Sequence, residues 1–431
     1  MSAVALAPVS FGEAFRFWLK LGFISFGGPT GQIAIMHQEL VEKRRWISEN
    51  RFLHALNYCM VLPGPEAQQL ATYIGWLMHR SWGGIVAGGL FVLPSVFILI
   101  ALSWIYVTWG NVPVVAGIFY GIKPAVTAIV VAAAHRIGSR ALKHPALWAI
   151  AAAAFVAIFA LKLPFPAIVI AAGLIGYVGG RFFPEVFDSK SAHQKQNTYG
   201  PAVIDDGTPT PAHAVFSWAK LWSYAAAGIA LWALAMGALL LAWGWEGTLT
   251  QMGWFFTKAA LLTFGGAYAV LPYVFQGAVG HYEWLTAPQM IDGLALGETT
   301  PGPLIMVVAF VGFMGAGVAG ALVATYFTFL PSFIFIFMGA PFIETTHGNL
   351  KFSAPLTGIT AAVVGVILNL AVFFAYHVLW PKGTDGPFDW LSAAIGLAAL
   401  VALFRYKAGV MPVIGACALA GLIATFVKPL I

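Results

Sequence analysis

Residues 62–70 read LPGPEAQQL, two prolines around a glycine with a glutamate beside them, in a stretch (52–76) otherwise apolar enough to enter a membrane. Proline lacks the N–H and clashes with the preceding turn, so a helix cannot run through this point undisturbed. Residues 299–307 read TTPGPLIMV and set the same Pro-Gly-Pro among apolar neighbours. A chain that twice interrupts a membrane segment in the same way calls for a reason.

Composition sets the class. Hydrophobic residues make up 60 % of the 431 and charged residues 9 %, against roughly a quarter charged in soluble proteins. The apolar runs are long and uninterrupted, unlike the short alternating segments of a β-barrel. The chain therefore reads as an all-α polytopic membrane protein. No cleavable signal is expected, because the first residues lack a basic start and a compact apolar core. Cys59 and Cys417 both lie in apolar stretches and point to neither a disulfide nor a metal. No zinc-ligand spacing, phosphate-binding loop or serine elbow is present, so no cofactor and no metal site is expected.

The interruptions repeat at one offset. Phe26-Gly27-Gly28 recurs as Phe264-Gly265-Gly266, Trp46 as Trp284, and Pro63-Gly64-Pro65 as Pro301-Gly302-Pro303. Phe17 and Lys20 recur as Phe255 and Lys258, and each pair is 238 apart (17 and 255, 26 and 264, 63 and 301). The chain is two homologous halves, residues 11–183 and 250–428. Between them lie a polar stretch, 184–217, read as a flexible cytoplasmic linker, and an apolar helix, 218–243. That additional crossing would invert the second half.

Basic residues concentrate in cytoplasmic loops. Residues 42–51, EKRRWISENR, have as counterpart 280–289, GHYEWLTAPQ, without lysine or arginine. Homologous loops of opposite charge character belong on opposite faces, so the halves read as inverted repeats. If 52–76 crossed fully, Lys43 and Arg80 would face opposite sides; if it dips in and returns, every basic cluster is cytoplasmic. The sequence thus predicts two broken re-entrant hairpins per half (11–40 and 52–76; 253–280 and 287–317). Four spans follow each pair: 83–109, 114–135, 145–161 and 164–180, then 320–343, 354–378, 388–404 and 409–427. Of 22 lysines and arginines, three fall outside (Lys162, Lys382, Lys428) and three within the membrane zone (Lys20, Lys123, Lys258). The N-terminus and the linker are then cytoplasmic and the C-terminus periplasmic. This asymmetry also accounts for the net charge of +6 without nucleic acid.

Broken helices inside lipid are tolerated where they line a wet cavity, and inverted repeats of them mark transporters. Half-helix N-termini carry free N–H groups and partial positive charge, which favour anions. The candidate substrate site therefore comprises Gly27, Gly28, Pro63, Gly64, Pro65, Gly265, Gly266, Pro301, Gly302 and Pro303. Lys20, Lys123 and Lys258 would add charge, although Lys20 and Lys258 also fit snorkelling to the interface and Lys123 a structural pairing. Thr299 and Thr300 would offer hydroxyls or back-bond to their helix. Glu66 and Glu298 are candidates to carry a coupled proton, with a salt bridge to a lysine as the alternative. Asp292 reads as a partly exposed acid at an outer helix start, and His37, His79, His135 and His281 as solvated interface residues. Glycines and prolines that only permit close helix packing are the alternative to a site.

Residues 26–48, FGGPTGQIAIMHQELVEKRRWIS, followed by LPGPEAQQLATYIGW (62–76), with LTFGGAYAVLPY (262–273) and ETTPGP (298–303), resemble the chromate ion transporter (CHR) family. The likeness spans both halves. It implies a secondary transporter of the inner membrane that extrudes chromate, confers chromate resistance and draws on the proton gradient or membrane potential, not an enzyme. Sulfate has the same tetrahedral shape and charge and remains open as substrate, as does a passive channel. An enzyme acting on lipid phosphates would show clustered acids and histidines at one face. Partners are then the oxyanion and the lipid bilayer; the sequence allows a homodimer.

Overall fold

The computed structural model describes residues 7–26, 28–187, 199–346 and 353–427; Gly27 and Lys428 of the readings above lie outside them. Among the described residues there is one isolated bridge and otherwise only helix, turn and loop. The first half holds α1 Phe11–Ile24, α2 Gly28–His37, α3 Glu49–Val61, α4 Glu66–Trp109, α5 Pro113–Ala141, α6 Pro145–Phe159, α7 Phe165–Phe182 and a single turn, α8, Pro184–Phe187. Then come α9 Trp218–Trp243, α10 Thr248–Leu261, α11 Ala267–Phe275, α12 Ala287–Thr299, α13 Val307–Thr346, α14 Ser353–Leu379, α15 Trp390–Phe404 and α16 Val410–Val427. Among the described residues, seven helices are long and apolar enough to cross a bilayer. The protein is an all-α polytopic membrane protein.

The repeat reaches down to backbone torsions. Six-residue π-helical stretches, Gln38–Lys43 and Gln276–His281, end α2 and α11 at matching places. Arg45 (φ 55) and Glu283 (φ 53) hold the same left-handed conformation 238 residues apart. Beyond α14 the offset becomes 245: α6 and α15 begin at 145 and 390, and Lys162 (φ 51) matches Lys407 (φ 50). The seven additional residues belong to the loop between α14 and α15.

The 44-residue α4 is not straight. His79 (φ −135, ψ 34) and Arg80 (φ 57, ψ −158) leave helical geometry and turn the chain back on itself. A Cβ on Gly75 would strike the carbonyl of Gly83 and the side chain of Ala87, and one on Gly84 would lie 3.0 Å from the Thr72 carbonyl. In a straight helix residues 75 and 87 would be about 18 Å apart at 1.5 Å per residue. The arms 66–79 and 81–109 are therefore antiparallel, with glycine letting their backbones touch. α13 reverses likewise at Ala316 and Gly317 (φ 60), bringing Gly312 against the Gly320 carbonyl.

The short arms pair with the helices before them. Tyr58 of α3 meets Tyr73 of α4 at 6.1 Å between ring centres, so α3 and the first arm of α4 form a hairpin with Pro63-Gly64-Pro65 at its tip. Phe17 of α1 lies 5.0 Å from Trp46, and Phe255 of α10 stacks on Tyr273 of α11 at 4.9 Å. Gly293 of α12 faces the Phe310 ring of α13. Side-chain caps start these elements: Ser48 accepts from the Arg51 N–H, and Thr286 and Gln289 form a capping box.

The halves interlock. α5 packs on α15 and α16, whereas α14 packs on α6 and α7. Gly121 abuts the Cys417 carbonyl and Gly358 that of Ala172, so small residues again bring helices close.

The linker differs from the expectation. Residues 188–198 lie outside the described residues, but 199–214 are packed rather than flexible. The Val203 and Ile204 N–H groups donate to the Arg45 and Trp46 carbonyls at 2.9 and 3.0 Å, and the Ser48 N–H donates to Ile204 O at 2.9 Å. Asp206 accepts from Ser48 Oγ and Asn50 Nδ2, Arg51 donates to Thr208 O at 2.6 Å, and His213 bonds the Trp76 carbonyl at 2.9 Å. The polar residues that read as solvated here serve the open ends of the hairpins, with Ile204 and Ala214 buried beneath.

Candidate functional site: a basic cavity at the helix breaks

The breaks meet across the halves. The Gly64 N–H donates to the Thr263 carbonyl at 2.7 Å, and the Gly302 N–H donates to the Ser25 carbonyl at 2.8 Å. Both donors and both acceptors are 238 apart, so each Pro-Gly-Pro tip closes on the glycine break of the other half. Gln32 Nε2 donates to Gly302 O, Ser95 Oγ to Pro301 O at 2.6 Å, and Gln69 Nε2 to Pro63 O at 2.8 Å. Pro63, Pro65, Pro301 and Pro303 have no N–H, and the two glycine N–H groups are taken. The tips hold the breaks together and present no free donor.

Beside this junction opens a cavity of about 700 Å³. The first turn of α2 (Pro29, Thr30), Glu66 at the start of α4, and Gly265 and Gly266 ahead of α11 contribute to its wall. Gly28, Gly265 and Gly266 have φ of 70, 79 and 95, torsions at which only glycine is unstrained. A Cβ on Gly266 would lie 3.9 Å from Glu66 Oε1. Arg136, Arg140 and Lys143 bring three cations from the end of α5, with Glu185 the second acid on the wall. Glu298 is buried; it accepts a bond from Tyr268, which lines the cavity, and Arg136 lies beside that pair.

The remaining sequence candidates are dispersed. Lys20 is exposed. Lys258 borders a separate cavity of about 520 Å³ with Tyr273, Gln276 and His281, and its ammonium lies 5.6 Å from the Trp254 ring centre. Thr299 and Thr300 donate to the Leu296 and Gly297 carbonyls at 2.9 and 3.1 Å, so their hydroxyl protons serve their own helix. Lys123 pairs with Asp292 at 3.3 Å. Asp292 is 2 % exposed, which corrects the reading of a partly exposed acid: it packs against α5 instead of facing outward. His37 is likewise held between Glu42 and Glu49.

Sequence reasoning placed Arg136, Arg140 and Lys143 in a cytoplasmic cluster and missed their role in a wall. Their spacing was the available signal: Arg136 and Arg140, four apart, share one face of α5, and Lys143 follows just past its end.

The sequence profile of the family described as chromate transporter matches residues 12–177 and 250–422, nearly all of both halves. The chain belongs to the chromate transporter family. It is 35 % identical over 421 residues to a chromate transport protein of Pseudomonas aeruginosa, covering 96 % of this chain and 92 % of that protein. A chromate transport protein of Cupriavidus metallidurans is 30 % identical over 411 residues, covering 95 % and 92 %. An uncharacterised transporter of Methanocaldococcus jannaschii is 26 % identical over 369 residues, covering 85 % of each. No solved structure matches the chain significantly. Family membership makes the chain a multi-pass membrane transporter and not an enzyme.

Proposed function

We propose that the protein exports chromate across the inner membrane by alternating access, driven by the proton gradient. The observation that carries this reading is the cavity at the helix breaks, with Arg136, Arg140 and Lys143 beside the glycine-opened starts of α2 and α11. A tetrahedral dianion needs positive charge and backbone donors in one place, and helix starts supply the donors. The relatives' names support chromate as the cargo.

The antiparallel arms of α4 and α13, each paired with the helix before it, support the re-entrant reading. They place residues 49 and 79 at one end of a hairpin whose tip is buried. With four hairpins turning back, nine helices among the described residues cross, and the opposite charge character of the two hairpin bases supports an inverted orientation of the halves. The basic cavity then faces the cytoplasm. Lys258 borders a smaller cavity on the opposite face, in keeping with a second opening for the same cargo. Glu66 and the buried Glu298–Tyr268 pair lie beside the cations, where an arriving oxyanion competes with the carboxylates for the same positive charge.

Labelled chromate flux into everted vesicles tests the reading, with sulfate in excess as competitor and the proton gradient imposed or collapsed. Gradient-dependent uptake that resists sulfate is the expected result. Equal block by sulfate would make it a general oxyanion carrier, and flux indifferent to the gradient a channel.

A further inference from the structure

α5 and α12 touch at two separate polar points. At one, Arg136 of α5 lies beside Glu298 of α12 and its Tyr268 partner, at the basic cavity. At the other, Lys123 Nζ of α5 lies 3.3 Å from Asp292 Oδ2 of α12, and Tyr106 OH donates to the same oxygen at 2.8 Å. Lys123 and Arg136 are 13 residues apart, about 20 Å along a helix. None of Lys123, Asp292 and Tyr106 lines the cavity, and the second point lies towards the end of α5 that begins at Pro113.

Three features separate Lys123–Asp292 from an ordinary structural pair. Asp292 Oδ1 is buried with no hydrogen-bond partner, whereas a buried carboxylate kept for structure normally has its oxygens satisfied. The Lys123 side chain is 29 % exposed while that of Asp292 is 3 % exposed, so the pair straddles a boundary. The repeat equivalents, 238 residues away, are Ala361 and His54, so the fold closes in the other half without an ion pair there. Lys123 and Tyr106 are the charged and titratable groups acting on Asp292; among the described residues no other such group of α4, α5, α13, α14 or α16, the helices packed against α12, acts on it.

We propose that Asp292, with Lys123 and Tyr106, is the transporter's proton site, separate from the oxyanion cavity and joined to it by α5 and α12. The proton adds at Asp292 Oδ1, the carboxylate becomes neutral, and its attraction to the Lys123 ammonium is lost. An oxyanion bound at Arg136 competes with Glu298 in the same way. Each ligand thus loosens one of the two points that tie α12 to α5; α12 stays locked while both ties are intact and moves when either is loosened, so an entering proton is exchanged for a leaving oxyanion. The tip it carries is Pro301-Gly302-Pro303, bonded to Ser25 of the other half. This inference rests on the proton-driven transport proposed above.

The test uses the whole protein in proteoliposomes, reading chromate accumulation under an imposed pH gradient and chromate binding by equilibrium dialysis. Asp292→Asn is expected to bind chromate within about twofold of the wild type. Its gradient-driven accumulation should fall at least tenfold, and its remaining flux should not vary with pH. Lys123→Met combined with Asp292→Asn removes both charges and is expected to do the same. Gradient-driven accumulation at the wild-type level in either variant would overturn the proposal. Failure of both variants to fold would mark the pair as a structural staple and overturn it equally. A wild type that does not respond to the gradient would instead sink the transport reading on which it rests.

Discussion

At Gly64 and Gly302 the backbone stands at φ 133 and 101, and each residue gives its N–H to the opposite half. A side chain at Gly64 would meet Ser332 Oγ and Gln69 Nε2, so Gly64→Ala is strained twice, by torsion and by contact. A loss of about 1–3 kcal/mol in stability is expected, read as a lowered thermal unfolding midpoint in detergent; an unchanged midpoint would mean the tip relaxes freely. At this scale the sequence showed where the chain breaks, because proline and glycine carry their own torsional preferences. It did not show what the breaks touch. Thr263 and Ser25 are ordinary polar residues until the other half is beside them. Asp292 was misread for the same reason: its partners come from α4 and α5 of the other half, so nothing local marks it as buried.

Among the elements, the helices were legible in apolar length and in the proline and glycine breaks, and their ends fall close to the expected ones. The seven-residue slip in the repeat was not, since the loop between α14 and α15 carries no landmark shared with its counterpart. The segment 199–214 was misjudged because its polar residues look solvated whether they meet water or open helix ends. Its attachment includes a pH-sensitive point. Burial, together with nearby Arg80 and Lys220, holds the His213 imidazole below its ordinary value, against the opposing bond to the Trp76 carbonyl. A depressed imidazole favours the neutral form when docked. Docking is then complete above the free histidine range near 6.5 and weakens as pH falls through it. Amide hydrogen exchange of residues 199–214, corrected for intrinsic rate, should quicken between pH 7.5 and about 5.5. In His213→Ala, which has no imidazole to titrate, that pH dependence should disappear.

For the whole molecule, the decisive property is that two halves of one pattern interlock, α5 with α15 and α16, α14 with α6 and α7. Neither half encloses the cavity alone: Arg136 and Glu66 come from one, Gly266 and Tyr268 from the other. The proposed inverted arrangement predicts that Lys43→Cys and His281→Cys, equivalent exposed positions 238 apart, react with an impermeant maleimide from opposite faces of sealed vesicles. Labelling from one face would make the halves parallel. On the proposed route the oxyanion passes through the basic cavity, and Arg136 is the residue that passage depends on most. The direct measurement is chromate flux into everted vesicles by Arg136→Gln, at membrane levels matched to the wild type. Loss of a charged partner to a dianion is worth about 1.5–3 kcal/mol, so flux at sub-saturating chromate should fall tenfold or more. Wild-type flux in that variant would place the chromate path elsewhere and contradict the account.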